Sequence, residues 1–536
     1  MKTPVLIIGS GLAGLSTAYR LAQMGVECTV VTKASEMDLG TNSAYAQGGI
    51  VYRPEGEDVE DLIADILAAG AGINSRQAVD QISEDGIDMV REVLLDDLKV
   101  PFDRVDGKLS FTREAAHSSA RIIHSKDQTG KVIMESFKRV LLNHPKVTFL
   151  YRHMLVDLLT TAHHCSGYEM KYEQNWCIGS YLLDLDSGEV KTMTSYYTVL
   201  ATGGIGQLYE HHTNAEHAYG SGLAVATRAN VRIINAHFVQ FHPTALWSPK
   251  TGRRFLISEA LRGEGARLKN NDGRYIMDSF SHKDLESRAV VSRAVLEDME
   301  KTGDDYVLLN LADYYHGSVP LSERFPSIYD QCMKQGIDMG KDSIPVVPAQ
   351  HFFCGGIKVG KHGHTELPGL FAVGEVSCTG VHGANRLAST SLLECLTWGT
   401  EAGKTIAGVI EDLEQDPDGY LQQSFDVVLP WESFGDAFCD ESVVEQKKDQ
   451  IRALMWENVG VLRTQEKLFF ARDELRSLWK DIQVLYSVHE LSEPLLELRH
   501  MIESAYLIAH SAASYTNLKD SLGGHVVVKG RRNEME

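Results

Sequence analysis

Apolar runs and helically spaced apolar positions alternate at the start of the chain. Residues 5–8 are continuously apolar, as expected for a strand that is buried on both faces. Residues 12–22 place apolar side chains at helical spacing as far as Gly25, and residues 28–32 form a second apolar run. A strand, a helix and a strand in this order predict a βαβ unit and a parallel sheet with crossover helices.

Two further turns, each a strand followed by glycine, occur far downstream, in TVLATGG at residues 198–204 and in GLFAVGE near residue 370. Three such turns so far apart predict one discontinuous domain, over residues 1–235 and 352–420. The intervening segment, residues 236–351, is predicted to be a domain inserted into it.

Long, charged helical patterns begin at about residue 441 and break near Gly460, and another helical pattern runs over residues 494–513. They predict a C-terminal helical bundle in a domain of residues 421–536. The Asp-, Gly- and Gln-rich segment 412–424 is predicted to be the linker before this bundle.

Chain length, net charge and the length of the apolar runs exclude several classes of protein. A chain of 536 residues exceeds one hydrophobic core, so we expect two to four domains. The formal net charge of −21 argues against a general nucleic-acid or acidic-membrane surface, and a small anionic substrate would need a locally basic pocket. Without a run of roughly 18 apolar residues, no membrane span is expected.

Cysteine and histidine usage points to a reduced compartment and to no metal site. The eight cysteines are scattered without a CxxC pair, which is typical of reduced thiols in a cytoplasmic protein. Adjacent histidines such as His163–His164 and His211–His212 lack the spacing of metal ligands.

The first turn carries a GxGxxG motif between its strand and its helix. Glycines at this place allow a tight turn and let a pyrophosphate approach the helix N-terminus, so the motif favours dinucleotide binding over an ordinary strand–helix turn. The motif residues are Gly9, Ser10, Gly11, Leu12, Ala13 and Gly14. Thr32 and Lys33 stand where an acidic residue usually ends the second strand, so ribose recognition must use another group.

A small, polar, glycine-ended stretch follows at residues 42–49 (NSAYAQGG). Taken alone it could equally be a surface loop. Beside a dinucleotide site, it resembles backbone that lies against a flat ring system.

Arg386 is unusual because small residues surround it in the sequence GANRLASTS. Such neighbours are too small to cover a guanidinium, and its planar five-donor fork suits a carboxylate. The segment therefore predicts an anion clamp next to the third glycine turn.

The inserted segment contains further polar residues that are candidates for a functional site, although each also has a simpler structural explanation. His242 precedes a proline, so the chain there should be extended. Glu259 and Arg262 are three apart and are neighbours if helical. Arg288 and Arg293 are five apart, so at most one should enter a pocket. A capping histidine, a surface ion pair or a solvated arginine would explain each of these residues singly.

Eight ordered motifs together resemble the succinate dehydrogenase/fumarate reductase flavoprotein family, and within it the aspartate-oxidising members. The resemblance covers nearly the whole chain. The motifs are GSGLAG, YAQGG, TREAAH, ATGG, QFHPTAL, EALRGEGA, HFFCGGI and GEVSCTGVHGANRLASTSLLECL. The family fold is an α/β, Rossmann-like FAD-binding domain, an inserted α+β capping domain and a C-terminal helical bundle.

The resemblance implies that FAD is bound non-covalently. Members that attach FAD covalently use a histidine before the AQGG motif, and Asn42 occupies that place here. The residues expected to bind FAD are Gly9, Gly11, Leu12, Ala13, Gly14, Lys33, Asn42, Ser43, Gln47, Gly48, Gly49, Ala201, Thr202, Gly203, Ser221, Glu375, Ser391 and Leu392.

The resemblance also implies the substrate site. Glu114 in TREAAH is absent from members that act on plain dicarboxylates, and a carboxylate there would attract the ammonium of aspartate. The residues expected to bind the substrate are Glu114, Gln240, His242, Ser258, His351, Arg386 and Ser389. Arg288 would be the acid/base residue, with Glu259 and Arg262 as a proton path behind it.

The activity implied is the FAD-dependent oxidation of L-aspartate to iminoaspartate, with O2 or fumarate re-oxidising the flavin. This is the first step of quinolinate and NAD biosynthesis, and quinolinate synthase would be the next enzyme. Three alternatives stay open, namely a soluble fumarate reductase or succinate-oxidising flavoprotein, a flavoprotein electron-transfer subunit on an iron–sulfur partner, and a non-catalytic FAD-binding protein.

The chain departs from the family pattern at several positions. Ala289 follows Arg288 where an Asp is usual, which predicts that Arg288 lacks an orienting partner. Ser221 replaces an Asp, and Ala115 and Ala116 replace two glycines. Leu522 replaces the arginine of the KESRG motif.

Overall fold

The computed structural model describes residues 1–36, 40–54, 56–414, 419–433, 435, 437–515 and 521–529. Three large buried clusters organise it. One lies under the C-terminal helices, one under the N-terminal helices and one inside the inserted segment. None of the helices in these ranges combines the length and the apolar composition that crossing a bilayer requires.

The central sheet joins the three predicted turns. Its strands, in order across the sheet, are Val147–Leu150, Cys28–Val31, Lys2–Ile8, Val190–Leu200, Cys177–Asp184 and His153–Thr160. Strand Leu370–Ala372 pairs in parallel with the end of Val190–Leu200, where Leu200 lies beside both Ile8 and Ala372. The three strands therefore end at one edge of the sheet, and their glycine turns lie side by side there.

A second sheet lies mainly in the inserted segment and also includes strand His211–His212, which precedes that segment. Its strands are Gly252–Arg253, His211–His212, Ile344–Phe353, Val307–Asn310 and Arg267–Lys269, and Val239–Leu246 pairs with Ile344–Phe353. Its helices are Ala260–Gly263, Arg288–Thr302, Leu321–Arg324 and Pro326–Lys334. This sheet has its own apolar core, which includes Leu261, Leu268 and Val295. The exact domain boundaries stay predictions.

The C-terminal bundle consists of helices Glu441–Asn458, Gln465–Val488 and Glu493–Ser514. The first ends at the predicted break before Gly460. Apolar side chains of the bundle, such as Ile482 and Leu498, share one buried cluster with the strand side chains Val156 and Leu158. The bundle is thus packed directly against the central sheet.

The linker predicted at residues 412–424 is only partly right. Helix Ile410–Glu414 enters it and helix Tyr420–Asp426 occupies its second half, because Leu421 finds a buried position. Residues 415–418, at its centre, lie outside the described residues.

Shorter elements complete the chain. The other helices are Leu12–Gln23, Val59–Ala69, Arg76–Ser83, Asp85–Met89, Val90–Asp97, Thr129–Leu141, Thr161–His164, Ser221–Arg228 and Ser391–Ala407. Single helical turns are Glu169–Lys171, Gly206–Leu208, Lys283–Leu285 and Gly374–Val376. Short strands are Ile50–Val51, Arg104–Val105, Lys108–Leu109, Phe111–Thr112, Ile122–Ile123, Ile233–Ile234, Gly356–Lys358 and Ser377–Cys378.

Gly9 is the position at which the first turn admits no side chain. Its φ is +120°, and a Cβ built on it would lie 2.2 Å from the carbonyl oxygen and 2.7 Å from the carbonyl carbon of Ala201, directly after the neighbouring strand. Both contact atoms belong to the backbone, so neither can move without a shift of the main chain next to the sheet. The close approach of the two turns therefore depends on this glycine.

Replacing Gly9 by alanine should lower the free energy of unfolding by at least about 3 kcal/mol, because the new methyl group collides with fixed backbone. Gly25→Ala is the matched control. Gly25 also has a positive φ of +78° but has no atom within 4 Å of a built Cβ. It should cost only about 1–2 kcal/mol. Urea titration of both variants measures the difference, and equal losses would contradict the backbone collision.

Candidate active site

A cavity of about 480 Å³ runs along the edge where the three strands end. Its wall comes from the glycine turns, from the 42–49 stretch and from the inserted segment. The predicted residues on the wall are Gly9, Gly11, Leu12, Ala13, Lys33, Asn42, Ser43, Gln47, Gly48, Gly49, Glu114, Ala201, Thr202, Gly203, Ser221, His242, Ser258, Glu259, Arg288, His351, Glu375, Arg386, Ser389, Ser391 and Leu392. Gly14, Gln240 and Arg262 lie behind the wall.

Several wall residues were not predicted from the sequence. They are Met154, Leu155, Thr213, Asn214, Ala215, His217, Tyr219, Arg253, Phe255, Phe352 and Cys395. Met154 and Leu155 reach the cavity because the N–H of His153 donates to the carbonyl of Thr32 at 3.1 Å. That contact joins chain segments about 120 residues apart, and no local motif announces it.

The wall suits a polar dinucleotide. The Gln47 Oε1, Thr202 Oγ1 and Asn214 Oδ1 atoms are buried and have no hydrogen-bond partner within the described residues. At the start of the first helix, the Leu12 N–H donates to the Ser43 hydroxyl at 3.1 Å. Buried polar groups normally have partners. Unpartnered oxygens on a cavity wall next to a GxGxxG turn fit a bound FAD.

Asn42 connects the 42–49 stretch to the third turn and to the segment that contains Ala215. Its Nδ2 donates to the Glu375 carboxylate at 3.2 Å, and its Oδ1 accepts from the Ala215 N–H at 2.6 Å. The Phe353 N–H also donates to Glu375 at 3.0 Å. Burial nevertheless raises the pKa of Glu375 to about 7. Both ends of the Asn42 amide are thus used in fixing the wall.

Lys33 faces the cavity at the end of the second strand, but its ammonium also forms ion pairs with the C-terminal bundle. It lies 2.7 Å from Glu493 and contacts the buried carboxylate of Glu497. Glu497 in turn accepts from Lys448 at 2.8 Å. Glu493 and Glu497 lie more than 450 residues from Lys33 in the chain. They give its ammonium acidic partners, although the usual acidic residue at the end of the second strand is missing.

Arg386 is buried and has no carboxylate partner in the described part of the chain. Its Nη2 donates to His351 Nε2 at 3.0 Å and its Nη1 donates to the Ser391 hydroxyl at 3.2 Å. The ring of Phe352 lies 4.5 Å below the guanidinium carbon. The Nε atom has no partner among the described residues, and Arg386 lines the cavity. The guanidinium therefore keeps a free donor, which the predicted anion clamp requires.

The tautomers of the two site histidines follow from their neighbours. Arginine can only donate, so His351 Nε2 accepts from Arg386 and its Nδ1 donates to Thr213 at 2.8 Å. The Thr244 N–H donates to His242 Nδ1 at 3.2 Å, which places the proton of His242 on Nε2. That Nε2 has no partner among the described residues. Burial, together with Arg288, keeps the pKa of both imidazoles well below the usual value.

Arg288 has two orienting partners, so the expectation drawn from Ala289 is wrong. Its Nε donates to Glu259 at 2.6 Å and its Nη1 donates to Gln240 Oε1 at 3.1 Å. Helix Arg288–Thr302 starts at this residue and turns its side chain inward. A carboxylate and an amide from other segments thus replace the missing Asp.

Arg262 completes this row behind the wall. It lies 3.3 Å from Glu259, and its Nη1 donates to the carbonyl of Asp284 at 2.6 Å. Burial alone would raise the pKa of Glu259, but Arg288 and Arg262 outweigh burial and hold that pKa below its usual value. Glu259 is therefore an ionised bridge between two guanidinium groups, and the predicted proximity of Glu259 and Arg262 is confirmed.

Gln240 belongs to the frame of the site and does not reach the cavity. Its Nε2 donates to Asn385 Oδ1 at 2.8 Å and to the carbonyl of Arg386 at 2.9 Å. With Arg288 on its oxygen, the whole amide is used inside the protein. Arg293, in contrast, is exposed and pairs with Glu297 at 2.8 Å, so only one of the two arginines enters the pocket, as predicted.

Glu114 lines the same cavity as Arg288 and Arg386. It accepts from the Ser389 hydroxyl at 2.7 Å, and Ser389 also accepts from the Gly49 N–H at 3.2 Å. Burial and then the charge of Glu259 raise the pKa of Glu114, against the hydrogen bond from Ser389. A cation placed next to this carboxylate would favour its ionised form.

The charges of the site are unbalanced. We call Arg262, Arg288 and Arg386 the arginine cluster. The ionised carboxylate of Glu259 pairs with Arg262 and Arg288, and Arg386 has no carboxylate partner among the described residues. Burial and then the charge of Arg288 lower the pKa of Arg386 to about 10. The site is thus locally basic in an acidic protein, and it suits an anion with more than one carboxylate.

The remaining predicted substrate residue, Ser258, is buried on the wall directly before Glu259. Within the described residues, no group of three or more His, Cys, Asp or Glu side chains could hold a metal ion. The polar chemistry of the cavity therefore comes from arginine, histidine and carboxylate side chains.

Family models agree with this architecture. An FAD binding domain model matches residues 4–392, and a fumarate reductase flavoprotein C-terminal model matches residues 448–528. Among solved structures, the FrdA chain of E. coli quinol fumarate reductase superposes with a TM-score of 0.84 at 25% identity. The match covers 100% of this chain and 92% of that chain.

Relatives of known name are more similar in sequence. The L-aspartate oxidase of Vibrio cholerae is 37% identical over 532 residues, which cover 97% of this chain and 94% of that protein. The L-aspartate oxidase of Halobacterium salinarum is 40% identical over 514 residues, or 95% of this chain and 94% of that protein. The chain belongs to the L-aspartate oxidase family of FAD-binding flavoproteins.

Proposed function

We propose that this protein oxidises L-aspartate to iminoaspartate with FAD as its cofactor. The observation that carries the proposal is the position of Glu114 on a cavity wall that the arginine cluster otherwise makes basic. A dicarboxylate satisfies the arginines, and an ammonium group on that dicarboxylate satisfies Glu114. L-Aspartate carries two carboxylates and an ammonium group, whereas succinate and fumarate carry the two carboxylates but lack the ammonium.

The carboxylates are held by donors that have no partner inside the protein. Arg386 offers its Nε and the second hydrogen of an Nη atom as a fork, which matches two carboxylate oxygens. His242 offers its Nε2–H, and Ser258 offers a hydroxyl from the same wall. His351 is engaged with Arg386 and Thr213, so we assign it to holding the fork in place.

Oxidation of the C2–N bond to an imine removes a hydride equivalent from C2 and a proton from nitrogen. FAD, when bound, supplies the two-electron acceptor for the hydride equivalent. The acid/base role falls to Arg288. Its Nε and Nη1 are used by Glu259 and Gln240, which leaves Nη2 to face the cavity. Glu259 and Arg262 continue the row away from the substrate as the proton path.

FAD is held by the three glycine turns and the 42–49 stretch, without a covalent bond. The amide of Asn42 is engaged at both ends by Glu375 and Ala215. O2 or fumarate would re-oxidise the flavin, and quinolinate synthase would receive the product. All eight cysteines are free thiols, which agrees with the cytoplasmic location that we expect.

The main alternative is a soluble fumarate reductase or succinate-oxidising enzyme, because Arg386 and the histidines would clamp any dicarboxylate. An electron-transfer subunit is the second. Steady-state assays of the purified chain with L-aspartate, succinate and fumarate separate them. We expect imine and peroxide from aspartate in air. Turnover with succinate but not aspartate, or activity only with a second chain, would contradict the proposal.

The variant Glu114→Gln should lower kcat/KM for L-aspartate by about 30-fold or more, because the buried ammonium loses its counter-charge. Fumarate reduction should change less than about threefold, since fumarate carries no ammonium. Glu297→Gln, which alters an exposed ion pair, is the control and should change neither activity. Equal losses with both substrates would refute the role of Glu114 as the ammonium partner.

The variant Arg386→Lys should reduce kcat/KM about 100-fold for both L-aspartate and fumarate, since a point charge cannot replace the planar fork. Arg293→Lys, at an exposed ion pair, is the matched control and should stay within about twofold. Saturation kinetics with both substrates provide the test. Near-normal KM values in Arg386→Lys would rule out the clamp.

A further inference from the structure

Glu114 lies on a loop whose two flanking strands are too short to hold it in place. The loop runs between strands Phe111–Thr112 and Ile122–Ile123, which pair only through two residues each. The Glu114 carboxyl is nevertheless buried and directed at Ser389. The loop must therefore be fixed by contacts outside the strands.

Arg121, at the end of the loop, makes the most extensive of these contacts. Its side chain is fully buried, and it pairs with Glu57 at 2.8 Å and with Asp65. Asp65 lies on helix Val59–Ala69, and Glu57 precedes that helix. A buried guanidinium between two carboxylates is strongly directional, so the loop end is tied to this helix.

The same carboxylates also hold the middle of the loop. Asp65 accepts from both the N–H and the hydroxyl of Ser118, at 2.7 and 2.8 Å, and Arg121 Nη2 donates to that hydroxyl at 2.9 Å. The hydroxyl of Ser119 contacts Glu57. Arg121, Asp65 and Glu57 thus form one ion cluster, which we call the loop anchor.

A second contact brings the loop to the segment of the substrate clamp. His117 is buried, and its Nε2 must donate to the carbonyl of Ala388, which can only accept, at 3.0 Å. Ala388 precedes Ser389, the partner of Glu114. The loop is therefore held on one side by the loop anchor and on the other by the clamp segment.

The backbone between these contacts is strained. Ala116 has a φ of +63°, in the left-handed region that disfavours residues with a Cβ. Strain of this kind persists only where surrounding contacts over-determine the conformation. Ala116 lies between Glu114 and the serine that the loop anchor binds, so the anchor is placed to maintain this conformation.

The geometry points to Arg121 and Asp65 as positioning residues that hold Glu114 against Ser389 and thereby set the preference for an amino-substituted dicarboxylate. This rests on the proposed role of Glu114 as the ammonium partner. The three residues of the loop anchor do not line the cavity, and Arg386, the proposed carboxylate clamp, lies on a different segment. Loosening the anchor should therefore impair the use of aspartate selectively.

The test is the ratio of kcat/KM for L-aspartate to that for fumarate, measured on the flavin-loaded enzyme. In Arg121→Lys and in Asp65→Asn the ratio should fall about tenfold, with fumarate reduction within about threefold of the parent. Asp65→Asn keeps an oxygen acceptor for Ser118, so it provides the result if Arg121→Lys does not fold. An unchanged ratio in a folded variant would overturn the inference.

Arg228→Lys is the matched control. Arg228 also lies between two carboxylates, Asp157 at 3.0 Å and Glu503, but it joins the central sheet to the C-terminal bundle. It should lower thermal stability as the anchor variants do while leaving the ratio unchanged. A fall in the ratio equal to that of the anchor variants would mean that any loss of a buried ion pair has this effect, which would overturn the inference.

A double-mutant cycle separates this inference from the proposed function. If Asp65 acts through Glu114, the variant Glu114→Gln/Asp65→Asn should have the same ratio as Glu114→Gln alone. Multiplied losses would show that Asp65 acts independently and would refute the positioning role. A normal ratio in Glu114→Gln alone would instead refute the ammonium role itself, and the inference would fail with it.

Discussion

The burial of the arginine cluster is the constraint on which the site depends. Three guanidinium groups are buried near one ionised carboxylate, Glu259, which pairs directly with Arg262 and Arg288 but not with Arg386. Buried charges are costly unless they are paired. The protein pays part of that cost with neutral acceptors, which are His351 and Ser391 for Arg386 and Gln240 for Arg288. The positive charge that stays uncompensated favours a dianionic ligand. Affinity for dicarboxylates therefore follows from the incomplete neutralisation of the arginine cluster.

The central sheet makes this arrangement rigid. Three parallel strands end in register at Ile8, Leu200 and Ala372, so their turns present one polar edge to the cofactor. The inserted segment brings His242, Glu259 and Arg288 to the same cavity. Gln240 bonds to both Arg288 and the backbone of Arg386, so the proposed acid/base residue and the proposed carboxylate clamp are joined through one side chain.

The local parts of this account could be predicted from the sequence. The GxGxxG turn is a strand–helix junction, and the Glu259–Arg262 pair depends only on helical spacing. The isolated Arg386 already suggested a ligand with a carboxylate. Long-range contacts could not be predicted. Ala289 suggested that Arg288 lacks a partner, yet Glu259 and Gln240, 29 and 48 residues away, orient it.

The separate roles that we propose for the carboxylate clamp and for Glu114 could also not be predicted without the structure. The sequence resemblance places His351 among the carboxylate ligands, but both of its ring nitrogens have protein partners here. Met154 reached the cavity wall through a contact with no sequence signature. In contrast, Arg386 and His242 keep donors without a partner among the described residues, and Glu114 lines the same cavity from a separate loop. In the function that we propose, the clamp accounts for the binding of dicarboxylates, and Glu114 accounts for the choice among them.

Anaerobic mixing of the flavin-loaded protein with L-aspartate or with succinate tests this account most directly, because it isolates the reductive half-reaction from any electron acceptor. The absorbance of the oxidised flavin reports the result. The account predicts rapid bleaching by L-aspartate and little or none by an equal concentration of succinate. Bleaching by succinate at the same rate or faster, or none by L-aspartate, would contradict it.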